Sequence, residues 1–205
     1  MAKTSIMATV SRLKGLVFTT FELVSLSGKT DSAVTQGLNH LSKTGVVKKI
    51  YRGVWTLAGR DISPFAVMPY LFPRQRAYVS FISALNLHGM VEQIPQVITV
   101  ASLSFPRTIR TGVGTFEVHR IAPAFFFGFS WYKDEGSFLI AQPEKALLDS
   151  LYLSIRPKHQ YSHFPELSFP ENFDVKKATA WAEKIPNIHA RVYVLKKLRD
   201  LFAKT

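Results

Sequence analysis

Three observations predict an α+β chain in two parts. Residues 18–57 read as helix, turn, helix and hairpin, whereas beyond residue 64 short apolar or alternating runs are interleaved with amphipathic stretches. Charge follows the same division: residues 1–60 carry nine Lys or Arg against Glu22 and Asp31, a net of +7, and the remaining residues add +5 to reach +12. The expected organisation is therefore an N-terminal winged helix-turn-helix over residues 1–60, followed by a larger mixed α/β domain over residues 64–205. The boundary falls in the run Ala58-Gly59-Arg60-Asp61-Ile62-Ser63-Pro64, which clusters breaking and capping residues after an apolar strand.

In the first part, Thr20 is a candidate cap for a short helix holding Phe21, Leu23, Val24 and Leu26. Ser27-Gly28-Lys29 turns the chain, and Thr30 or Asp31 caps a second helix that Gly45 ends. On that second helix Val34, Leu38 and Leu41 share one face with the small Gly37, where a neighbouring helix can approach. The opposite arc is Ser32, Thr35, Gln36, Asn39 and Lys43. These side chains suit a major groove, because Gln and Asn can pair in bidentate fashion with adenine, hydroxyls adapt, and Lys43 can reach phosphate. Val46 to Leu57 then supplies two short strands around Arg52-Gly53, with Lys48, Lys49, Tyr51 and Arg52 placed where a wing grips the DNA backbone or minor groove. A protein-interaction or dimerisation module is the alternative reading of such a subdomain.

In the second part, Tyr78, Phe81, Ile82 and Leu85 recur at helical spacing, which predicts a helix from Gln75 to His88 stopped by Gly89. Val97 to Ala101 reads as a buried strand, Thr115 to Ile121 as a half-buried one, and Phe138 to Ala141 as another. Gln142-Pro143-Glu144 is a helix start, with Leu148, Leu151, Tyr152 and Ile155 as its apolar stripe. Two further helices are expected near Asp174–Lys184 and His189–Ala203.

Several function classes lose their footing. With no cysteine, there is no disulfide, thiolate metal site or cysteine nucleophile, and a reducing cytoplasm is the simplest setting. Neither a signal peptide nor a membrane span is expected, and the pI near 10 favours a polyanionic partner. Glu144, Lys145 and Asp149 resemble a catalytic cluster, but Lys145 and Asp149 fit an i, i+4 ion pair and Glu144 suits the positive helix end. Asp174-Val175-Lys176 matches a nuclease-like acidic-x-Lys motif but opens a helix rather than lying on a strand. Only His159 and His163 have chelating spacing, with no third ligand, so no metal and no cofactor are expected. His88 reads as a helix-end residue bonded to carbonyls. The run Phe125-Phe126-Phe127-Gly128-Phe129 with Trp131 reads as core packing, with a partner-facing patch, a membrane wedge and a base-stacking platform as its alternatives. The last helix sets Lys196, Lys197 and Lys204 opposite an apolar arc, as a solvated face or as a second basic surface.

Taken in order, KKIYRGVWTL, YVSFISALNLHGM, EQIPQVITVAS, FEVHRIAPAFFFGF and IAQPEKALLDSLYL resemble the AbiEi antitoxin family, the abortive-infection antitoxins and transcriptional regulators of type IV toxin-antitoxin systems. The likeness spans roughly residues 10–155. It implies a non-enzymatic cytoplasmic protein whose first domain binds double-stranded DNA at its own operator and represses its own operon. It also implies a second domain that neutralises a nucleotidyltransferase-like toxin, with or without direct contact. The stretch SLSFPRTIRTGVG is less basic than the family pattern, which argues against a nucleic-acid contact by that loop. Two other readings stay open: a winged-helix regulator whose second domain senses a ligand or dimerises, and a nuclease-like enzyme with a DNA-targeting domain.

Overall fold

The computed structural model describes residues 5–13, 15–73, 77–132, 138–155 and 166–203. The chain is mixed α and β and divides into two compact units, Met1–Leu71 with Arg110–Gly114, and Phe72–Ile109 with Thr115–Thr205. The first unit thus extends past the breaker-rich run and takes in a short segment from far downstream.

In the first unit the order is α1 (Ile6–Ser11), β1 (Val17–Thr19), α2 (Thr20–Ser27), α3 (Asp31–Lys43), β2 (Val47–Tyr51), β3 (Val54–Leu57), a 3-10 turn at Pro64–Val67, and α4 (Met68–Leu71). Caps set the helix starts. Thr19, one residue before the expected Thr20, caps α2: its hydroxyl accepts the Glu22 N–H at 3.1 Å, and the Glu22 carboxylate accepts the Thr19 N–H at 2.6 Å. Thr20 is already helical, and its hydroxyl instead accepts the Trp55 indole N–H at 3.0 Å. Gly28 closes α2 at φ +63°, a value that suits glycine. Thr30 caps α3 through the Ala33 N–H.

Val10, Phe18, Leu23, Val34, Leu38, Val47 and Trp55 form the core of this unit. Of the four apolar residues expected on α2, Leu23 is buried and Val24 half-buried, while Phe21 and Leu26 face solvent. The expected close approach at Gly37 is made by α1: a Cβ there would lie 2.2 Å from Ile6 Cδ1. The three strands form an antiparallel sheet in the order β1-β3-β2.

The second unit is built on a six-stranded mixed sheet in the order β6-β7-β5-β4-β9-β8. Its strands are β4 (Ala77–Val79), β5 (Ile98–Ser102), β6 (Arg107–Arg110, whose last residue counts with the first unit), β7 (Thr115–Arg120), β8 (Phe129–Tyr132) and β9 (Phe138–Ala141). Its helices are α5 (Phe81–Leu87), α6 (Pro143–Leu153), α7 (Val175–Ala182) and α8 (Ile188–Phe202).

The expected helix from Gln75 to His88 is corrected here. Gln75 lies outside the described residues, and residues 77–79 form a strand antiparallel to β5 and parallel to β9. Helical spacing of apolar residues also fits a fully buried strand followed by a helix, and partners on both sides decide for the strand. At the junction Phe81 takes φ +57°, a left-handed value that is strained for an aromatic residue. A buried hydroxyl network braces the turn, with Thr99 Oγ1 donating to Ser80 O at 2.6 Å and the Ser83 N–H donating to Thr99 Oγ1 at 3.2 Å. Helix α6 is also more buried than its predicted stripe implies. It packs against α5, α7, α8 and β9, and Glu144 through Leu151 are all buried.

Candidate nucleic-acid interface

Helix α3 separates its residues as the spacing predicts. Val34 and Leu38 are fully buried, whereas Ser32, Gln36, Asn39 and Lys43 are exposed on one face and Thr35 is half-buried beside them. His40 and Lys43 occupy the last turn, at the negative end of the helix, and Gly45 at φ +73° turns the chain into β2.

The hairpin carries the cations. Strict alternation along β2 would send Lys48 and Lys49 to opposite faces, yet both are exposed while Val47 and Ile50 are both buried. Lys48 faces Thr56 and Lys49 faces Trp55 in regular register, and the irregularity follows them, where Tyr51 rather than Ile50 meets Val54. Lys49 Nζ lies 5.5 Å from the centroid of the Trp55 ring, its cross-strand neighbour. Tyr51 and Arg52 are exposed at the hairpin tip, which Gly53 closes at φ +73°. The Thr20 N–H donates to Gly53 O at 2.9 Å, so the tip is tied to the start of α2. The nine residues expected at a DNA interface therefore lie in one unit, on one helix face and one hairpin, and eight of them are exposed.

A neighbour that no local pattern reveals completes the hairpin edge. The Gly112 N–H donates to Ile50 O at 2.8 Å, and this segment counts with the first unit. Residue 112 lies far from residue 50 in sequence, so spacing gives no sign of the pairing.

The other constellations are structural. Lys145 and Asp149 form the expected ion pair, but with both side chains fully buried. Asp149 Oδ2 also accepts the Ser80 hydroxyl at 2.7 Å and the Tyr78 hydroxyl at 3.0 Å, and Lys145 Nζ lies 3.8 Å from the Phe125 ring centroid. Burial raises the Asp149 carboxyl above the usual carboxylate range against the opposing pull of Lys145, Ser80 and Tyr78. Burial likewise lowers Lys145 against the pull of Asp149, and raises Tyr78 together with the Asp149 charge. Both charged side chains are thus held inside the second unit by partners from α6, β4 and the turn at Ser80.

Glu144 accepts from Lys177 Nζ at 3.2 Å and from the Asp174 N–H at 3.2 Å, tying α6 to α7. Asp174 caps α7 through the Lys177 N–H at 3.0 Å, as a helix-opening residue rather than a strand-borne acid. His88 Nε2 donates to Ala141 O at 2.7 Å, the carbonyl partner expected for it. In the aromatic run Phe125 is buried and Phe126, Phe127 and Phe129 are half-buried; Phe129 stacks on Tyr78 at 4.5 Å, and only Trp131 is largely exposed. Lys196 and Lys197 are exposed on α8, and Lys204, His159 and His163 lie outside the described residues.

Among the described residues no group of three His, Cys, Asp or Glu is placed to hold a metal, and no helix is long and apolar enough to cross a membrane. No family model matches the chain, and no curated protein matches it.

Proposed function

We propose that the chain is a DNA-binding regulator whose first unit works as a winged helix-turn-helix, with α3 as the recognition helix and the β2–β3 hairpin as the wing. What carries this reading is the joint exposure of Ser32, Gln36, Asn39 and Lys43 on α3 and of Lys48, Lys49, Tyr51 and Arg52 on the hairpin of the same unit. An α-helix fits the major groove, where Gln36 and Asn39 offer bidentate partners for adenine and Thr35 and Ser32 offer hydroxyls. The lysines and Arg52 supply phosphate contacts, which fix position without reading sequence. Following the resemblance to the AbiEi antitoxins, the DNA is the chain's own operator, and the second unit neutralises a nucleotidyltransferase-like toxin in the cytoplasm without catalysis of its own.

DNA binding with salt titration tests the first half. The wild-type chain is expected to bind duplex DNA with an affinity that falls as log K against log salt, at roughly −0.9 per phosphate neutralised. Gln36→Ala and Asn39→Ala should each weaken binding to the operator by about 1–3 kcal/mol while leaving random-sequence binding nearly intact. Equal losses on both duplexes would remove α3 from base recognition, and a flat salt profile would remove DNA from the function.

A further inference from the structure

In the three-stranded sheet β2 is an edge strand, so its outer backbone groups have no strand to pair with. At Ile50 that edge is taken by the Gly112 N–H, which donates to Ile50 O at 2.8 Å. The approach is close: a Cβ at residue 112 would stand 3.1 Å from Lys49 O and 3.5 Å from Ile50 Cα, both backbone atoms that cannot swing away. Glycine is thus favoured here by close contact rather than by turn geometry.

The loop that delivers Gly112 is braced by one side chain. Thr111 Oγ1 donates to Gly114 O at 2.7 Å and accepts the N–H groups of Gly114 at 3.1 Å and Val113 at 3.3 Å. A hydroxyl that closes its own loop holds the docked glycine and the residue entering the loop in fixed relation. That entering residue is Arg110. It is exposed, while its neighbour Ile109 is buried on the opposite side of the strand.

Two residues span at most about 7 Å, so the Arg110 backbone lies within that distance of the glycine seated on Ile50. Lys48, Lys49 and Arg52 flank Ile50 in sequence and are exposed. Arg110 thus adds a further exposed cation beside the loop that docks on the strand bearing Lys48 and Lys49. Among the described residues Arg110 forms no ion pair. Such clustering raises the local positive potential and is favourable once a polyanion is bound.

We infer that the loop Arg110–Gly114 is a working part of the wing, in which Arg110 contacts the phosphate backbone of duplex DNA and Gly112 positions it by docking on the β2 edge. The inference rests on the DNA-binding reading, adds to it a cation from outside residues 1–60, and reverses the expectation from composition that the stretch SLSFPRTIRTGVG makes no nucleic-acid contact. A backbone contact of this kind contributes to affinity and salt dependence on any sequence, with no share in base recognition.

The test is a salt titration of the full chain on a mixed-sequence DNA duplex a few helical turns long. Arg110→Ala should lower affinity roughly three- to tenfold near 0.1 M salt and make the log-log slope shallower by roughly 0.9, the value of one phosphate. Arg110→Lys, which keeps the charge, should restore most of the slope. Gly112→Val keeps Arg110 but cannot seat the loop, and should reproduce the slope loss with an unchanged circular dichroism spectrum. Lys196→Ala removes an exposed cation of α8 and should leave the slope as in wild type. A wild-type slope in Arg110→Ala, or an equal change in Lys196→Ala, overturns the inference and leaves DNA binding standing. Absence of salt-dependent binding by the wild-type chain overturns both.

Discussion

The cost of a buried charge depends on what remains when its partner is removed. Asp149 holds Lys145, Tyr78 and Ser80 together in a site closed to solvent. Asp149→Ala leaves a buried ammonium unpaired and two hydroxyls without an acceptor, and should destabilise the second unit by about 3–5 kcal/mol in chemical denaturation. Lys145→Met is expected to cost less, about 1–3 kcal/mol, because Asp149 can take a proton and keep both hydroxyl donors. The pH dependence has a definite sign. Burial already raises Asp149 in the folded state, and removing Lys145 removes the largest opposing influence. A carboxyl raised on folding contributes stability below its unfolded value and loses it as pH rises through its folded value. The deficit of Lys145→Met should therefore widen from the acid range towards neutrality. A larger loss in Lys145→Met than in Asp149→Ala would reverse this account of the cluster. The ion pair itself was readable from the i, i+4 spacing, but not its burial, because Tyr78 and Ser80 come from a distant strand and turn.

At the scale of elements, local signals served well where the partner was near in the chain. The Thr30 cap, the turn at Gly45 and the two faces of α3 all rest on atoms within about one or two helical turns, whereas the α2 cap is Thr19 and not the expected Thr20. They failed where the partner was remote. The strand at residues 77–79 reads as helix because its apolar spacing satisfies both periods, and only β5 and β9 resolve it. The register irregularity that sets Tyr51 rather than Ile50 opposite Val54 likewise needs the facing strand β3. Gly128, entering β8, shows the same dependence. It takes φ +73°, and an added Cβ would lie 2.8 Å from Trp181 Cζ3 and 3.2 Å from Lys145 Cγ. Gly128→Ala should cost about 2–4 kcal/mol, combining the left-handed penalty with a clash against a packed indole. Thermal unfolding checks it, and a loss under 1 kcal/mol would mean that Trp181 yields freely.

For the whole molecule, the proposed function assigns DNA recognition to one unit and toxin neutralisation to the other. A clean separation is best sought in the full chain, because Arg110–Gly114 belongs with the first unit and a cut after residue 63 would strip it of its partner at Ile50. On the proposed function, a chain carrying Gln36→Ala, Asn39→Ala and Arg52→Ala should lose repression of its operator yet still rescue growth when co-expressed with the proposed nucleotidyltransferase-like toxin. Joint loss of repression and rescue, with the protein still folded, would show that the two activities share one surface.

The sequence alone determined the Thr30 cap, the turns and the polar and apolar faces of α3, along with the cationic bias of the hairpin. Each of these depends on residue type at short spacing. Tertiary structure decided the strand at 77–79, the full burial of Lys145 and Asp149, and the seating of Gly112 on the β2 edge. The physical reason is common to all three: a sheet hydrogen bond, a desolvated charge and a backbone contact are each completed by atoms from remote parts of the chain. Spacing within one segment therefore carries no trace of them.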